Sequence, residues 1–265
     1  MIPAEFLAFV EARAAALTVY LPLLAAVATR LSVIAFLAPG LGEPMTPMRV
    51  RLAAVAAFSM IVAPPLAAAG PIAVDGAAAL ATLIVAEALI GLVIGFTLRL
   101  AVFILQIVGS IAAQHLSMSQ LFGPGVGHDQ ETPLSGVLMM AGIAAACASG
   151  LHIEIAAMLV KSYAAFPVGV FPAAAEAGDF AARQSGAAIA IAFGLAAPFV
   201  ILGFVYTVAL AAMSRAMPQL AATFVGAPAI LFAGLALFAA SSSLIILQWT
   251  ELLAAIVADP VGDLR

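Results

Sequence analysis

Residues 76–116 of this chain read GAAALATLIVAEALIGLVIGFTLRLAVFILQIVGSIAAQHL, and Glu87 and Arg99 carry the only carboxylate and the only guanidinium in the stretch. About 20 apolar residues suffice to cross the roughly 30 Å of hydrocarbon in a bilayer. A helix twice as long measures about 60 Å. We therefore expect a helix from near Asp75, a plausible N-cap, to about Leu116 that either breaks or does not lie in a simple bilayer slab. If the helix breaks, we expect the break at Gly91, Gly95 or Gly109.

The rest of the chain has the same apolar character. Hydrophobic residues make up 66% and charged residues 8% of it, and the mean hydropathy is +1.24, whereas soluble proteins carry about 25% charged residues. The net charge of −4 comes from dispersed groups, so there is no basic surface for nucleic acid. The composition predicts an all-α, polytopic, membrane-type protein, and residues 1–265 are expected to form one domain.

Proline- and glycine-rich breaks divide the chain into about six long, broken helices. The second helix is expected to stop before Pro64 and Pro65, because proline disfavours helix at its own position and at the residue before it. Too few lysines and arginines flank the spans to fix their orientation. Besides 75–116, the expected spans are about Ala4–Leu37 with a kink at Pro22, Arg49–Ala63, Pro133–Phe166, Asp179–Met213, and Pro218 or Pro228 to Val257.

Gly91 and Gly95 form a small-xxx-small pair, with Glu87 one turn earlier on the same helix face. Such glycines let two helix backbones approach closely. The pattern fits either a seam between subunits or packing within the chain, and the sequence leaves both open.

Five polar side chains interrupt apolar segments, and each should face protein or water because hydrocarbon disfavours it. They are Glu87, Arg99, Gln106, Gln114 and Glu154. Glu87 and Arg99 are twelve positions apart, about 120° around a helix, so they share no face. This spacing favours polar contacts between helices or subunits over a proton or ion relay.

Catalytic motifs are missing from the sequence. His152 and Glu154 lie two positions apart rather than at the spacing of a zinc-binding HExxH helix, Cys147 has no base near it in sequence, and neither GxSxG nor a Walker A loop occurs. We expect no enzymatic activity, no cofactor and no metal.

Residues 115–136, HLSMSQLFGPGVGHDQETPLSG, have no helical or strand period. Bulky side chains, Met118, Leu121 and Phe122, precede three glycines, Gly123, Gly125 and Gly127. Methionine and phenylalanine can seal a narrow pore and exclude water by dewetting, and glycines give the backbone freedom to move. The segment is therefore interpreted either as a plug or gate, or as an ordinary connecting loop.

Several stretches taken together resemble the FliR family of the flagellar type III export apparatus, whose counterpart in virulence injectisomes is the SctT family. The resemblance covers nearly the whole chain, and it is the order and spacing of the motifs that make it specific. The matching positions are Arg30 and Pro39; Pro47, Arg49, Arg51 and Pro64; Glu87, Gly91, Gly95 and Gly109; Leu116, Ser117 and Pro124; Gly150, His152, Ser162, Pro167 and Gly169; and Arg215, Pro218, Gln219, Leu220, Gly226 and Pro228. His115 and Gly123 depart from the family's usual Gly and Asp.

The resemblance implies a fold like a fused FliP-like and FliQ-like unit and a role in forming the export pore. The implied partners are FliP-type, FliQ-type, FlhB-type and FlhA-type subunits and unfolded flagellar proteins. The implied location is the inner membrane and flagellar basal body, with much of the assembly on the periplasmic side. The loop after the third helix would be the pore plug, and Arg215, Pro218 and Gln219 would lie at helix or subunit contacts. The alternatives are an SctT-type virulence subunit and a small secondary transporter.

Overall fold

The computed structural model describes the backbone of residues 4–67, 74, 76–116, 132–216 and 222–262, and the side chains of the same residues except 4–19 and 222–225. In this part of the chain every regular element is an α-helix, which confirms the all-α prediction. The helices are α1 (Ala4–Leu37), α2 (Met48–Ala67), α3 (Gly76–His115), α4 (Pro133–Ala148), α5 (Leu151–Ala165), α6 (Ala174–Ala216) and α7 (Ala222–Ala258).

Five of these helices are long and apolar enough to cross a membrane, and the broken pair α4–α5 raises the number to six if it counts as one span. The five segments are Tyr20–Leu37, Met48–Ala67, Gly76–His115, Ala174–Ala216 and Gly226–Ala258. The chain is therefore a polytopic helical membrane protein, as its composition predicts.

Helix α3 runs without interruption from Gly76 to His115, so of the two alternatives the break at Gly91, Gly95 or Gly109 is wrong. Glycine inside a helix costs about 1 kcal/mol relative to alanine, and at Gly91, Gly95 and Gly109 it allows a neighbouring helix to approach closely. The expected N-cap, Asp75, lies outside the described residues.

The single helix expected over Pro133–Phe166 is wrong, because the chain breaks at Ser149–Gly150. Gly150 has φ +90°, a left-handed conformation that glycine adopts at helix C-termini. The amide of Ser149 donates to the Ala145 carbonyl at 2.9 Å and that of Gly150 to the Cys147 carbonyl at 3.2 Å, which closes α4. At its other end the α4 N-cap is Thr132, whose hydroxyl accepts from the Ser135 amide at 3.3 Å.

Helix α2 continues through Pro64 and Pro65 to Ala67, so the expected stop at Ala63 is also wrong. The fixed φ of proline is close to the helical value. Both prolines lie in the last turn of α2. Because proline has no backbone N–H, only the two hydrogen bonds that residues 64 and 65 would have donated are lost.

The chain divides into two compact units. The first comprises Met1–Arg99, His152–Ala182 and Ile256–Gly262, and the second Leu100–Leu151, Arg183–Ala255 and Asp263–Arg265. Buried aliphatic side chains such as Ile34, Ile90 and Leu159 fill the first unit. In the second unit Trp249 is fully buried and donates from its indole nitrogen to the Ala101 carbonyl at 2.7 Å. The single-domain expectation stays a prediction.

Candidate functional site: a buried ion pair and its surroundings

In the first unit Arg30 of α1 and Glu87 of α3 form a fully buried ion pair. The guanidinium Nε lies 2.7 Å from Glu87 Oε2 and Nη2 lies 3.2 Å from Oε1, a two-pronged contact. Both side chains are inaccessible to solvent. Burying two charges is costly unless the geometry is good and the remaining donors and acceptors are satisfied.

Helix α5 and the turn after it supply those further partners. Arg30 donates from Nη1 to the Ser162 hydroxyl at 3.0 Å and from Nη2 to the Phe166 carbonyl at 3.1 Å. The Tyr163 ring lies 3.7 Å from the guanidinium carbon, and its hydroxyl donates to Glu87 at 3.4 Å. The contact at Phe166 places a cation at the C-terminus of α5, where the helix dipole is negative.

Gly169 completes the cluster on the Glu87 side. Its φ of +78° suits glycine, and the turn aims its amide at Glu87 Oε1 over 3.0 Å. The carboxylate therefore accepts hydrogen bonds from an arginine, a tyrosine and a backbone amide. The cluster joins α1, α3 and α5, which are far apart in sequence, and holds the first unit together.

Gly91 and Gly95 create the close approach that makes the ion pair possible. A Cβ added to Gly91 would lie 2.7 Å from the Arg30 carbonyl oxygen, and one added to Gly95 would lie 2.8 Å from Leu37 Cδ1. These glycines therefore face α1 of the same chain. Because α1 lies directly on the α3 backbone there, Arg30 reaches Glu87 one turn away.

Replacing Gly91 by alanine is expected to destabilise the protein by about 1–3 kcal/mol, because the added methyl group meets rigid backbone. The matched control is Gly194→Ala in α6, where an added Cβ has nothing within 4 Å and helix propensity favours alanine by up to about 1 kcal/mol. Thermal unfolding of the purified full-length chain in detergent measures both. Equal unfolding temperatures for the two variants would show that α1 does not need this contact.

A second ion pair involves Arg99, which sequence reasoning left without a partner. Its Nη1 lies 2.8 Å from Oε1 of Glu43, a residue in the loop between α1 and α2. The Arg99 side chain is 22% exposed and the Glu43 side chain 6%. The loop is compact, since the Thr46 hydroxyl donates to the Gly40 carbonyl at 2.6 Å. Arg51 donates to the Glu43 carbonyl.

The other predicted polar positions are less buried. Gln106 is half-buried and donates to the Met139 sulfur at 3.6 Å, whereas Gln114 and Glu154 are exposed. Arg215 is exposed near the end of α6. The structure brings Glu87 together with Gly91 and Gly95 but not with Arg99. The remaining site residues lie outside the described residues: Met118, Leu121, Phe122, Gly123, Gly125, Gly127, Pro218 and Gln219.

Sequence reasoning missed the partners in both ion pairs. Arg30, Ser162 and Gly169 matched family positions, but nothing in the sequence joined them to Glu87. The signal that could have found the pair is that Arg30 and Glu87 each lie within a long apolar run, where a charge needs an opposite charge. In the part of the chain that the structure describes, no group of three or more His, Cys, Asp or Glu side chains is arranged to hold a metal ion.

In the second unit the residues on either side of segment 117–131 make three close contacts with the backbone of glycines in neighbouring helices. The His115 ring lies against Gly203 of α6, and Leu116 packs on Gly234 of α7. Past the segment, Ser135 of α4 lies against Gly109 of α3. The two ends are thus attached to the same part of α3, about 10 Å apart along its axis.

Comparison with known proteins places these features in context. The model of the family "Bacterial export proteins, family 1" matches residues 21–256. The flagellar biosynthetic protein FliR of Caulobacter vibrioides is 32% identical over 216 residues, covering 80% of this chain and 85% of that protein. FliR of Escherichia coli is 29% identical over 210 residues, covering 78% and 79%. The Yop proteins translocation protein T of Yersinia pestis is 33% identical over 171 residues, covering 63% and 64%.

Proposed function

This chain belongs to the family of bacterial export proteins, family 1, and on that premise we propose that it is a pore-forming subunit of the flagellar protein-export gate. Membership in the FliR family makes it a membrane-embedded component of a type III export apparatus. The observation that carries the proposal is the match to FliR proteins over most of the chain. The proposed location is the bacterial inner membrane at the flagellar basal body.

Large apolar side chains on α6 and α7 favour assembly with other subunits. Phe193, Ile201, Phe204 and Phe232 are 56%, 62%, 68% and 74% exposed in the isolated chain. Exposed apolar surface of this extent is typical of interfaces with protein or lipid. The proposed neighbours are FliP-type and FliQ-type subunits in a helical channel for unfolded flagellar proteins, contacted by FlhB-type and FlhA-type proteins.

Segment 117–131 is proposed as the plug of that channel. Its sequence supplies the sealing side chains Met118, Leu121 and Phe122 and the hinge glycines. The close contacts at Gly109, Gly203 and Gly234 support the proposal, because they attach both ends of the segment to the helices of the second unit.

Co-purification tests the assembly. The full-length tagged chain, extracted from its native membrane in mild detergent, is expected to bring down several unlike helical membrane proteins in a fixed ratio. A secondary transporter would instead be isolated alone or as a homo-oligomer. Recovery of a homo-oligomer that transports a small solute by itself would overturn the proposal.

The virulence-type role is the second candidate, favoured by the similarity to the Yop translocation protein T. The mechanism would be the same and the exported proteins different. The identity of the co-purified subunits, and of the proteins that fail to be exported after deletion of the gene, separates the two roles.

A further inference from the structure

Helix α5 has charged side chains on the face that points away from the buried ion pair. Glu154, Ala157 and Lys161 are exposed and follow one another at spacings of three and four residues, which places them on the same side of a helix. The other side of α5 is buried and supplies Ser162 and Tyr163 to the ion-pair cluster. We call the exposed side, with Glu154, Ala157 and Lys161, the outer face of α5.

The two charges of the outer face are not neutralised within the part of the chain that the structure describes. The ion pairs found there involve other residues, and Glu154 and Lys161 are about 10 Å apart along the helix axis, too far to pair with each other. An unpaired charge is strongly disfavoured in hydrocarbon. A partner surface would have to supply a cation and an anion at this separation, whereas water hydrates both groups without further requirements. The outer face therefore fits water better than lipid or another subunit.

Helix α2 of the same unit exposes a face of the opposite kind. Residues 52–67 contain no charged side chain, and Met60 and Ile61 are 68% and 62% exposed. Ala57 is exposed near the middle of this helix. Such a face suits hydrocarbon or an apolar partner, so the two exposed faces of the first unit need different surroundings.

The contacts of α5 with α1 place the outer face beside the middle of an apolar segment. Arg30 lies near the middle of Tyr20–Leu37, a segment long and apolar enough to cross a membrane, and it donates to the Ser162 hydroxyl and the Phe166 carbonyl. Lys161 directly precedes Ser162. Water that hydrates Lys161 must therefore reach the level of Arg30, which a flat bilayer around the first unit would not allow.

The start of α6 has the same polar character. Residues 166–173 connect α5 to α6, and Glu176 and Asp179 are exposed in the first two turns of α6. At 43 residues this helix measures about 64 Å, roughly twice the thickness of the hydrocarbon. Its first turns therefore do not have to lie within the bilayer.

We infer that the outer face of α5 borders water, while the exposed face of α2 is covered by hydrocarbon or protein, so that α5 is not part of a membrane span. Five candidate spans then remain, without the broken pair α4–α5. The inference is independent of the proposed pore function, because it concerns only what surrounds α5.

Labelling of single cysteines in the full-length chain tests the inference. Cys147, the only cysteine of the chain, is replaced by serine, and Ala157→Cys is compared with Ala57→Cys, which places the same side chain on the exposed face of α2. Native membrane vesicles of both orientations are treated with a sulfonated maleimide that does not cross bilayers. The reagent reacts with the thiolate, which forms in water and is disfavoured in apolar surroundings, so Ala157→Cys should be labelled at least about tenfold faster than Ala57→Cys.

A second position keeps the test independent of one variant. Ala164 is exposed on the same side of α5, two turns after Ala157, and Ala164→Cys should be labelled as fast as Ala157→Cys. Equal labelling rates for the α5 and α2 cysteines would overturn the inference. Fast labelling of the α5 cysteines in the isolated chain in detergent but slow labelling in native membranes would also overturn it, because lipid or a partner subunit would then cover the outer face.

Discussion

Replacing Glu87 by alanine is expected to lower the free energy of unfolding by about 3–5 kcal/mol, the usual cost of removing one member of a buried ion pair. The substitution leaves the Arg30 guanidinium fully buried with its charge uncompensated. It also removes the acceptor of the Gly169 amide and the Tyr163 hydroxyl. The unfolding temperature of the detergent-solubilised chain should fall by about 10 °C.

Two further variants make this result interpretable. Glu154→Ala removes an exposed acid and should change the unfolding temperature little. The double variant Arg30→Met/Glu87→Leu replaces both charges by apolar groups and should recover most of the loss, since well-packed apolar replacements of buried ion pairs are often neutral or stabilising. If Glu87→Ala were as stable as the parent, the cluster would not hold α1, α3 and α5 together.

Deleting residues 117–127 from the assembled complex is expected to make resting membranes permeable to ions and small molecules. The deletion removes Met118, Leu121 and Phe122, the side chains proposed to exclude water from the pore. The deletion leaves the close contacts at Gly109, Gly203 and Gly234 in place, so the complex should still assemble. Ion leakage and uptake of an impermeant dye measure the effect.

A full-length variant separates sealing from loop length. The triple variant Met118→Ser/Leu121→Ser/Phe122→Ser keeps the length of the segment but replaces its apolar side chains by hydroxyls that water can hydrate. Leakage should therefore rise in this variant too. The matched control is Met45→Ser, a methionine that is 75% exposed in the loop between α1 and α2. Complexes that assemble with the deletion and remain as tight as the parent would rule out the plug.

The apolar sequence predicts most of the helices of this fold well, but it does not predict which helices and side chains contact one another. The bounds of α1 and α3 follow from the length of apolar runs. The break at Gly150 was missed because a glycine between two helical segments has the same sequence signal whether it continues the helix or adopts positive φ. The continuation of α2 through Pro64 and Pro65 was missed because a proline in the last turn of a helix removes few backbone hydrogen bonds and does not have to end the helix.

The hydrophobic periodicity of the sequence does not show which charged side chains pair in the folded protein. Glu87 and Arg99 were recognisable as charges that need partners, yet Arg30 is 57 residues from Glu87 and Glu43 is 56 from Arg99. Similarly, Gly91 and Gly95 have the same spacing in a seam between subunits as in packing within the chain. Only the tertiary structure shows that both glycines face α1.

A cryo-EM map of the detergent-extracted complex tests most directly whether this subunit closes an export channel. We expect residues 118–122 to lie on the central axis of a ring of unlike helical subunits and to narrow the passage to less than the width of an extended chain. A map with these residues at the outer surface, facing solvent and away from any axial passage, would contradict it.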